Sequence, residues 1–146
     1  MKKILSMILA VIIMIMPLSV GVFASESDVN YDDLVAPCYD NISSVSAIIS
    51  ETALGFANCT SDFVSSETNR TFVLTCYLQR TDGESGWVNY KSKSETYTSK
   101  GAYTIDKKWY APSGYAYRTY TKLQVKNSSG TVIETATVAS SVLYKW

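Results

Sequence analysis

The stretch "YAYRTYTKLQVKNSSGTVIETATV", residues 115–138, decides the fold of this 146-residue chain. In its first half, side chains of two kinds alternate with a period of two. One set is Tyr117, Thr119, Thr121, Leu123 and Val125, and the other is Arg118, Tyr120, Lys122 and Gln124. This period is typical of a β-strand with one buried face. The Asn-Ser-Ser-Gly cluster at 127–130 and the second run after it predict an antiparallel hairpin.

The same rhythm recurs along most of the chain. Short runs rich in Val, Thr, Tyr, Phe and Ile are separated by Gly, Ser, Asn and Asp clusters about every ten residues. They predict strands at residues 43–50, 54–64, 70–81, 86–97, 101–109, 115–127 and 131–142. We therefore predict an all-β fold, a single antiparallel immunoglobulin-like β-sandwich of about seven strands over residues 42–146.

Two further segments indicate the core. In "TFVLTCYLQ", residues 71–79, the side chains that share one face are Phe72, Leu74, Cys76 and Leu78. In "GFANCTSDFV", residues 55–64, they are Ala57, Cys59 and Phe63. These faces predict a modest apolar core with a threonine-rich rim.

Residues 1–24 read as a secretory signal peptide. Lys2 and Lys3 precede an apolar run, and Val22 and Ala24 fit the small residues of a cleavage site. The apolar run is too short for a stable membrane span, and none is expected after cleavage. Residues 25–41 are acidic and lack a period, which predicts a flexible leader. We therefore expect a secreted, extracellular protein.

Composition limits the chemistry. The chain has no histidine, which removes the commonest general base and metal ligand. The carboxylates after Glu84 are few, and nothing in the sequence predicts the cleft between paired carboxyls that a glycosidase needs. We expect no enzyme activity, no catalytic residue, no metal site and no cofactor.

Charge is unevenly distributed. Residues 25–86 hold 10 acidic and two basic residues, whereas residues 87–146 hold nine basic and three acidic ones. Without Lys2 and Lys3 the net charge is −2, so nucleic acid is not an expected partner. The basic half predicts either a face that attracts anionic polymers of a cell wall or membrane, or charges that mix once the strands interleave.

Three cysteines follow the signal peptide: Cys38, Cys59 and Cys76. If residues 65–69 close a hairpin, Cys59 lies opposite Cys76. If the two strands lie in different sheets, an inward pair still bridges the layers. Both arrangements make Cys59–Cys76 the preferred disulfide. A bridge from Cys38 and buried free thiols remain the alternatives.

Tyr117 is a candidate for a structural corner. A Pro/Gly turn precedes "YAYR", and in immunoglobulin-like sandwiches a tyrosine at the start of the sixth strand hydrogen-bonds back across the corner. The stretch resembles the G-x-x-Y-R corner of fibronectin type III domains.

A broader resemblance covers about residues 42–142. The segments "YLQRTDGESGWVNYKSKSETY", "AYTIDKKWYAPSGYAYRTYT" and "SGTVIETATVASS", with "ANCT" upstream, are similar to small uncharacterised secreted proteins of Firmicutes. The resemblance implies a secreted all-β domain and no particular activity. The longer corner "KKWYAPSGY" and the extra tyrosines depart from that pattern.

The remaining aromatic residues have two interpretations. Tyr is a good strand residue, so the rings can be structural. Exposed rings on strands also stack on sugars, and the candidates for such a patch are Trp109, Tyr110, Tyr115 and Tyr120.

Two functions follow from these observations. The first is a secreted, non-catalytic protein that binds a cell-wall glycan or a surface protein. The alternative is a secreted antimicrobial or toxin-like protein that acts on a cell envelope.

Overall fold

The computed structural model describes residues 39–145. The predicted signal peptide and the predicted leader before residue 39, which includes Cys38, lie outside the described residues. The strands are β1 (Ile42–Thr52), β2 (Phe56–Ser65), β3 (Thr71–Thr81), β4 (Val88–Tyr97), β5 (Gly101–Tyr110), β6 (Tyr115–Lys126), β7 (Val132–Ala139) and β8 (Leu143–Lys145). A single 3-10 turn, Ala53–Gly55, joins β1 to β2. No helix in this part of the chain is long and apolar enough to cross a membrane.

The strands form a β-sandwich of two antiparallel sheets. One sheet has three strands in the order β1-β2-β5. The other has five, in the order β4-β3-β6-β7, with β8 paired to the start of β6. The chain changes sheet between β2 and β3, between β4 and β5, and between β5 and β6. The predicted all-β sandwich is confirmed, but β2 and β3 do not form a hairpin.

The core lies where the inward faces of β2, β3 and β6 meet. Leu74 pairs with Leu123 and Phe72 with Val125, so large apolar side chains of neighbouring strands stand side by side. Phe63 of the opposite sheet packs on Phe72 with ring centroids 5.4 Å apart. All five side chains are fully buried, as the alternation predicts.

Hydroxyl groups join the two layers inside the core. Thr119 and Thr121 of β6 are completely buried, so they do not form the rim that the sequence predicts. Thr119 donates to the carbonyl oxygen of Ile48 at 2.8 Å, and Thr121 donates to that of Ser46 at 3.0 Å. The Thr121 hydroxyl also lies 2.6 Å from the Ser61 hydroxyl. These bonds satisfy the buried hydroxyls and attach β1 to the five-stranded sheet.

The seventh strand is shorter than the predicted range 131–142 and ends at Ala139. Ser140 follows it, and its backbone and side chain both bond the backbone of Thr119 at 2.9 Å, so a serine hydroxyl takes the place of a backbone partner there. Strand β8, Leu143–Lys145, pairs with the first residues of β6 and was not predicted from the sequence.

The described chain is attached to the sandwich before β1 begins. Asn41 donates its backbone and side-chain N–H groups to Glu134 Oε2, at 3.2 and 2.7 Å. Arg70 Nε in turn donates to Asn41 Oδ1 at 3.2 Å. Residue 41 was predicted to belong to the flexible leader, whereas these bonds fix its side chain to β7.

Candidate functional site

One outer surface of the sandwich gathers rings and cations. We call it the aromatic face, and we define it by eight outward side chains from β3, from β6 and from the residues around the start of β4. The alternating burial of β6 places its cations outside while the residues between them are buried. The members of the aromatic face are Tyr77, Gln79, Trp87, Asn89, Arg118, Tyr120, Lys122 and Lys126.

The rings and the guanidinium of this face form a continuous row. The Arg118 guanidinium carbon lies 4.3 Å from the centre of the Trp87 ring and 5.9 Å from that of Tyr120. Tyr120 pairs with Tyr77 across β6 and β3, and their ring centroids are 6.1 Å apart. Cation–π contacts and cross-strand ring pairs hold these side chains in defined positions.

Two amide side chains lie beside the row. Gln79 accepts a bond from Arg118 Nε at 2.8 Å and donates one to Asn89 Oδ1, also at 2.8 Å. Gln79 is nearly buried beneath its neighbours, with 8% of its surface exposed. The network therefore positions a guanidinium and an amide next to flat ring surfaces before any ligand arrives.

The charge of the aromatic face is positive and uncompensated. Arg118, Lys122 and Lys126 point outward from β6. In the described part of the chain, no carboxylate occupies an outward position of β3, β4, β6 or β7, since Glu95 and Glu134 pair with the inward residues Leu74 and Val125. The alternative in which all charges mix therefore does not hold for this surface.

The four aromatic residues predicted as binding candidates do not share a surface. Tyr120 belongs to the aromatic face. Trp109 and Tyr110 lie on β5 in the other sheet, where Trp109 packs against the core and Tyr110 is 55% exposed. Tyr115 is half-buried at one end of the sandwich.

A second cation–π cluster surrounds Tyr115. The guanidinium carbon of Arg80 lies 4.5 Å from the Tyr115 ring centre and 4.4 Å from that of Tyr90. Tyr115 also meets Tyr117 edge-on, with centroids 6.3 Å apart. Both sides of the cluster are thus engaged within the protein, which leaves Tyr115 little ring surface for a ligand.

Tyr117 closes the corner between β5 and β6. Its ring is completely buried, and its hydroxyl donates to the carbonyl oxygen of Pro112 at 2.7 Å. Burial raises the pKa of this phenol above its usual range. The bond runs back five residues to the turn before β6, which is the geometry of a tyrosine corner.

Cys59 and Cys76 are buried free thiols in the structure, so the preferred disulfide is not formed there. They lie on the inward faces of different sheets, which excludes the hairpin arrangement. Cys76 Sγ is 3.9 Å from the carbonyl oxygen of Cys59. Burial raises the pKa of the Cys59 thiol to about 12 and also raises that of Cys76. Protonated thiols of this kind are poor nucleophiles.

Small clefts lie near strand ends in the described part of the chain. A cleft of about 420 Å³ is lined by Thr68, Asn69, Arg70, Thr71, Thr98, Asn127 and Ser128. It contains one cation and no carboxylate. Within residues 39–145, no three side chains of the His, Cys, Asp or Glu type come together as a metal site.

The chain matches no protein-family model, and a search of curated proteins gives no match either. Function is therefore inferred from the chemistry of the surface. The sequence could identify part of the aromatic face, because Arg118, Tyr120 and Lys122 alternate with core residues. It missed Trp87 and Asn89, whose place depends on a register shift beside Gln79.

Proposed function

We propose that the protein is a secreted, non-catalytic binding module that holds an anionic cell-wall glycan on its aromatic face. One observation carries the proposal: a single outer sheet surface combines three rings, two amides and three cations with no carboxylate. Each group matches one part of such a ligand. The proposal commits to a polymer because the groups of this surface are spread along the strands and are not gathered in one cleft.

The rings and amides suit the sugar units. The C–H faces of a sugar pack on the flat sides of rings such as Tyr77 and Tyr120, which offer apolar area with a polar edge. Gln79 and Asn89 supply amide donors and acceptors that a sugar hydroxyl can share. Because the side chains are already held by one another, little conformational entropy is lost on binding.

The cations suit the acidic groups of the polymer. Arg118 has donors beyond the Nε–H that bonds Gln79, and a guanidinium binds phosphate or carboxylate through paired donors. Lys122 and Lys126 lie four residues apart on β6, so they extend the positive charge by about 14 Å along the strand. A charged strip of this length favours repeating anionic units over a single ion.

The non-catalytic part of the proposal is supported by the absence of histidine from the sequence. The high pKa of the Cys59 thiol also argues against its use as a nucleophile. Binding alone is the function that the remaining side chains support.

The immunoglobulin-like class is proposed on the strand order. Strands β1, β2 and β5 lie in one sheet and β4, β3, β6 and β7 in the other, so three of the connections cross between layers. Consecutive hairpins separated by such crossings are the Greek-key feature of immunoglobulin-like sandwiches. The hydrogen bond of Tyr117 at the fifth-to-sixth-strand corner supports the same class.

The test is retention on insoluble cell-wall material. The processed protein is incubated with purified peptidoglycan carrying teichoic acid, and the bound fraction is measured with and without the acidic polymer. Combining Trp87→Ala with Tyr120→Ala should weaken binding by at least about thirtyfold, since the loss of one aromatic hot spot alone costs about 2 kcal/mol. Tyr110→Ala, which removes a more exposed ring from the other sheet, is the control and should bind as the wild type does.

Equal losses in both variants, or no retention of the wild type, would reject the aromatic face as the binding site. Circular dichroism of each variant checks that the sandwich is intact.

A second function is favoured by the same uncompensated cations. A protein that attacks the envelope of another cell also needs a basic surface to reach anionic polymers. Growth inhibition by the purified protein, abolished by Lys122→Ala with Lys126→Ala, would favour this antimicrobial role over passive retention.

A further inference from the structure

The turn between β1 and β2 exposes an apolar side chain at its tip. Leu54 is 87% exposed, more than any other large hydrophobic residue between residues 39 and 145. It also adopts a left-handed backbone conformation, with φ 66° and ψ 29°. Gly55 beside it has φ 79°.

Neither the backbone nor the core accounts for a leucine here. Left-handed φ values disfavour residues with a bulky side chain, and Gly, Asn and Asp are the residues usually found there. A side chain that is 87% exposed gains almost nothing from packing within the domain. The leucine is therefore present at a local cost, and an external contact explains it.

The turn is held firmly by its neighbours. Ala111 N–H donates to the carbonyl oxygen of Gly55 at 2.9 Å. The Thr52 hydroxyl donates to the carbonyl oxygen of Phe56 at 3.1 Å. A Cβ on Gly55 would stand 3.3 Å from the ring of Tyr110, so the turn packs closely on that ring. Leu54 therefore projects from a turn whose backbone is held in place by these hydrogen bonds and by the Tyr110 ring.

Side chains change in kind with distance from the tip. Two residues below Leu54, Phe56 pairs with Tyr110, and their rings meet edge-on with centroids 5.6 Å apart. Two residues further along β5, Lys108 places its ammonium 5.2 Å from the centre of the Phe56 ring. Each step is about 7 Å along a strand. The order from the tip is an aliphatic residue, two rings, then a cation.

We propose that this hairpin tip, defined as Leu54, Phe56, Tyr110 and Lys108, attaches the protein to an anionic phospholipid surface. In the interface of a bilayer, aliphatic groups lie deepest, aromatic rings lie at the headgroups and cations meet the phosphates. The graded order of the tip fits this layered environment. A pocket on a protein partner would fit Leu54 but would not require the rings and the cation to follow in that order along one axis.

The attachment is weak and reversible, because one leucine and two rings bury little area. It uses a surface separate from the aromatic face, since Phe56, Tyr110 and Lys108 belong to the three-stranded sheet. The proposal therefore stands or falls independently of glycan binding.

The experiment is co-sedimentation of the processed protein with vesicles of phosphatidylglycerol and phosphatidylcholine. Leu54→Asn places a residue that tolerates the left-handed conformation, so the melting temperature should stay equal or rise. The partition coefficient between vesicles and water, calculated from the bound fraction, should fall about fivefold. If the variant is as stable as the wild type or more stable but binds vesicles less well, the Leu54 side chain contacts the lipid and does not support the fold.

Ile48→Thr is the matched control, because it removes another exposed apolar side chain from the same sheet at a distance from the tip. It should bind vesicles as the wild type does. Lys108→Gln should weaken binding to anionic vesicles and leave the residual binding to phosphatidylcholine unchanged. If Leu54→Asn does not fold, Leu54→Gly replaces it.

Two results would overturn the proposal. One is absence of wild-type binding to the anionic vesicles, which would point to a protein partner for the tip. The other is unchanged binding by a folded Leu54→Asn variant, which would place the lipid contact elsewhere.

Discussion

The two sheets of the sandwich present different outer surfaces. The five-stranded sheet exposes rings, amides and three cations. The three-stranded sheet carries charges of both signs on its outer surface, with the exposed residues Asp106 and Lys108 two positions apart on β5. Its central Asp62 accepts bonds from Ser46 at 3.1 Å and Thr104 at 2.6 Å. Both surfaces obey the same two-residue alternation. The two-residue alternation therefore determines which side chains of a strand face water. It does not determine their size or charge, and these differ between the two outer surfaces.

The inner faces show a parallel difference. Strands β3 and β6 contribute Phe72, Leu74 and Leu123, which are completely buried. Strand β2 contributes Phe63 and otherwise smaller side chains such as Ala57 and Ser61, which are also completely buried. The five-stranded sheet therefore supplies most of the apolar volume, and the three-stranded sheet covers it.

The largest expected effect tests this division of the core. Leu123→Ala should lower the free energy of unfolding by about 2–5 kcal/mol, because it leaves a cavity in the middle of the five-stranded sheet. Val45→Ala, at a half-buried position of the three-stranded sheet, should cost about 1 kcal/mol. Urea denaturation measures both. Equal costs would show that the two sheets contribute equally to the core.

The next prediction concerns Cys59, which is buried between the two sheets, and the dependence of the free energy of unfolding on pH. Burial raises the pKa of Cys59 from 9.0 to about 12, so the folded protein retains a proton that the unfolded chain loses. Stability is therefore complete below pH 9 and falls as pH rises toward 12. Burial also raises the pKa of Tyr97 to about 12, which acts in the same direction.

Urea unfolding at a series of pH values from 8 to about 11 measures this loss. Cys59→Ala should flatten the curve without abolishing the slope, because Tyr97 still titrates. A wild-type curve that is level above pH 9 would contradict buried, protonated thiols.

A smaller effect is expected at the corner. Tyr117→Phe removes the hydroxyl that donates to the carbonyl oxygen of the half-buried Pro112 and leaves that carbonyl without this partner. The free energy of unfolding should fall by about 1–3 kcal/mol. Tyr110→Phe, which removes a hydroxyl from a half-exposed ring, should change it by less than about 0.5 kcal/mol. If both variants are equally stable, the hydroxyl of Tyr117 does not support the corner.

The smallest expected effect tests whether the positive charge of the aromatic face contributes to binding. Lys122→Ala with Lys126→Ala should weaken retention on an anionic wall polymer about fivefold, since each exposed ion contact contributes about 0.2–1 kcal/mol. The loss should shrink as salt is added. Lys107→Ala on β5 is the control. A similar loss in the control would mean that net charge, and not the aromatic face, attracts the polymer.

Much of the fold could be predicted from the sequence. Alternation in residues 71–79 and 115–125 identified core residues such as Phe72, Leu74 and Leu123. The same alternation placed Arg118 and Tyr120 together on the outside. These predictions succeeded because the direction of a side chain along a strand depends only on local geometry.

The assignment of strands to sheets could not be predicted in the same way. A strand alternates identically whether its neighbour in sequence pairs with it or lies across the core. The hairpin alternative for β2 and β3 was therefore wrong, and Trp109 and Tyr110 were grouped with Tyr120 although they lie in the other sheet. Trp87 reaches Arg118 only because β4 shifts register beside Gln79, a feature without a sequence signal.

The attachment of β1 has a mechanical consequence. Tension applied before β1 is met by Tyr39, which packs against the core, and by Asn41, which is bonded to Glu134. From there it runs along a strand that is held on one side by β2 and on the other by the hydroxyls of Thr119 and Thr121. Pulling along β1 must break these bonds together rather than one after another, so the domain should resist a load from that end as a clamp loaded in shear does.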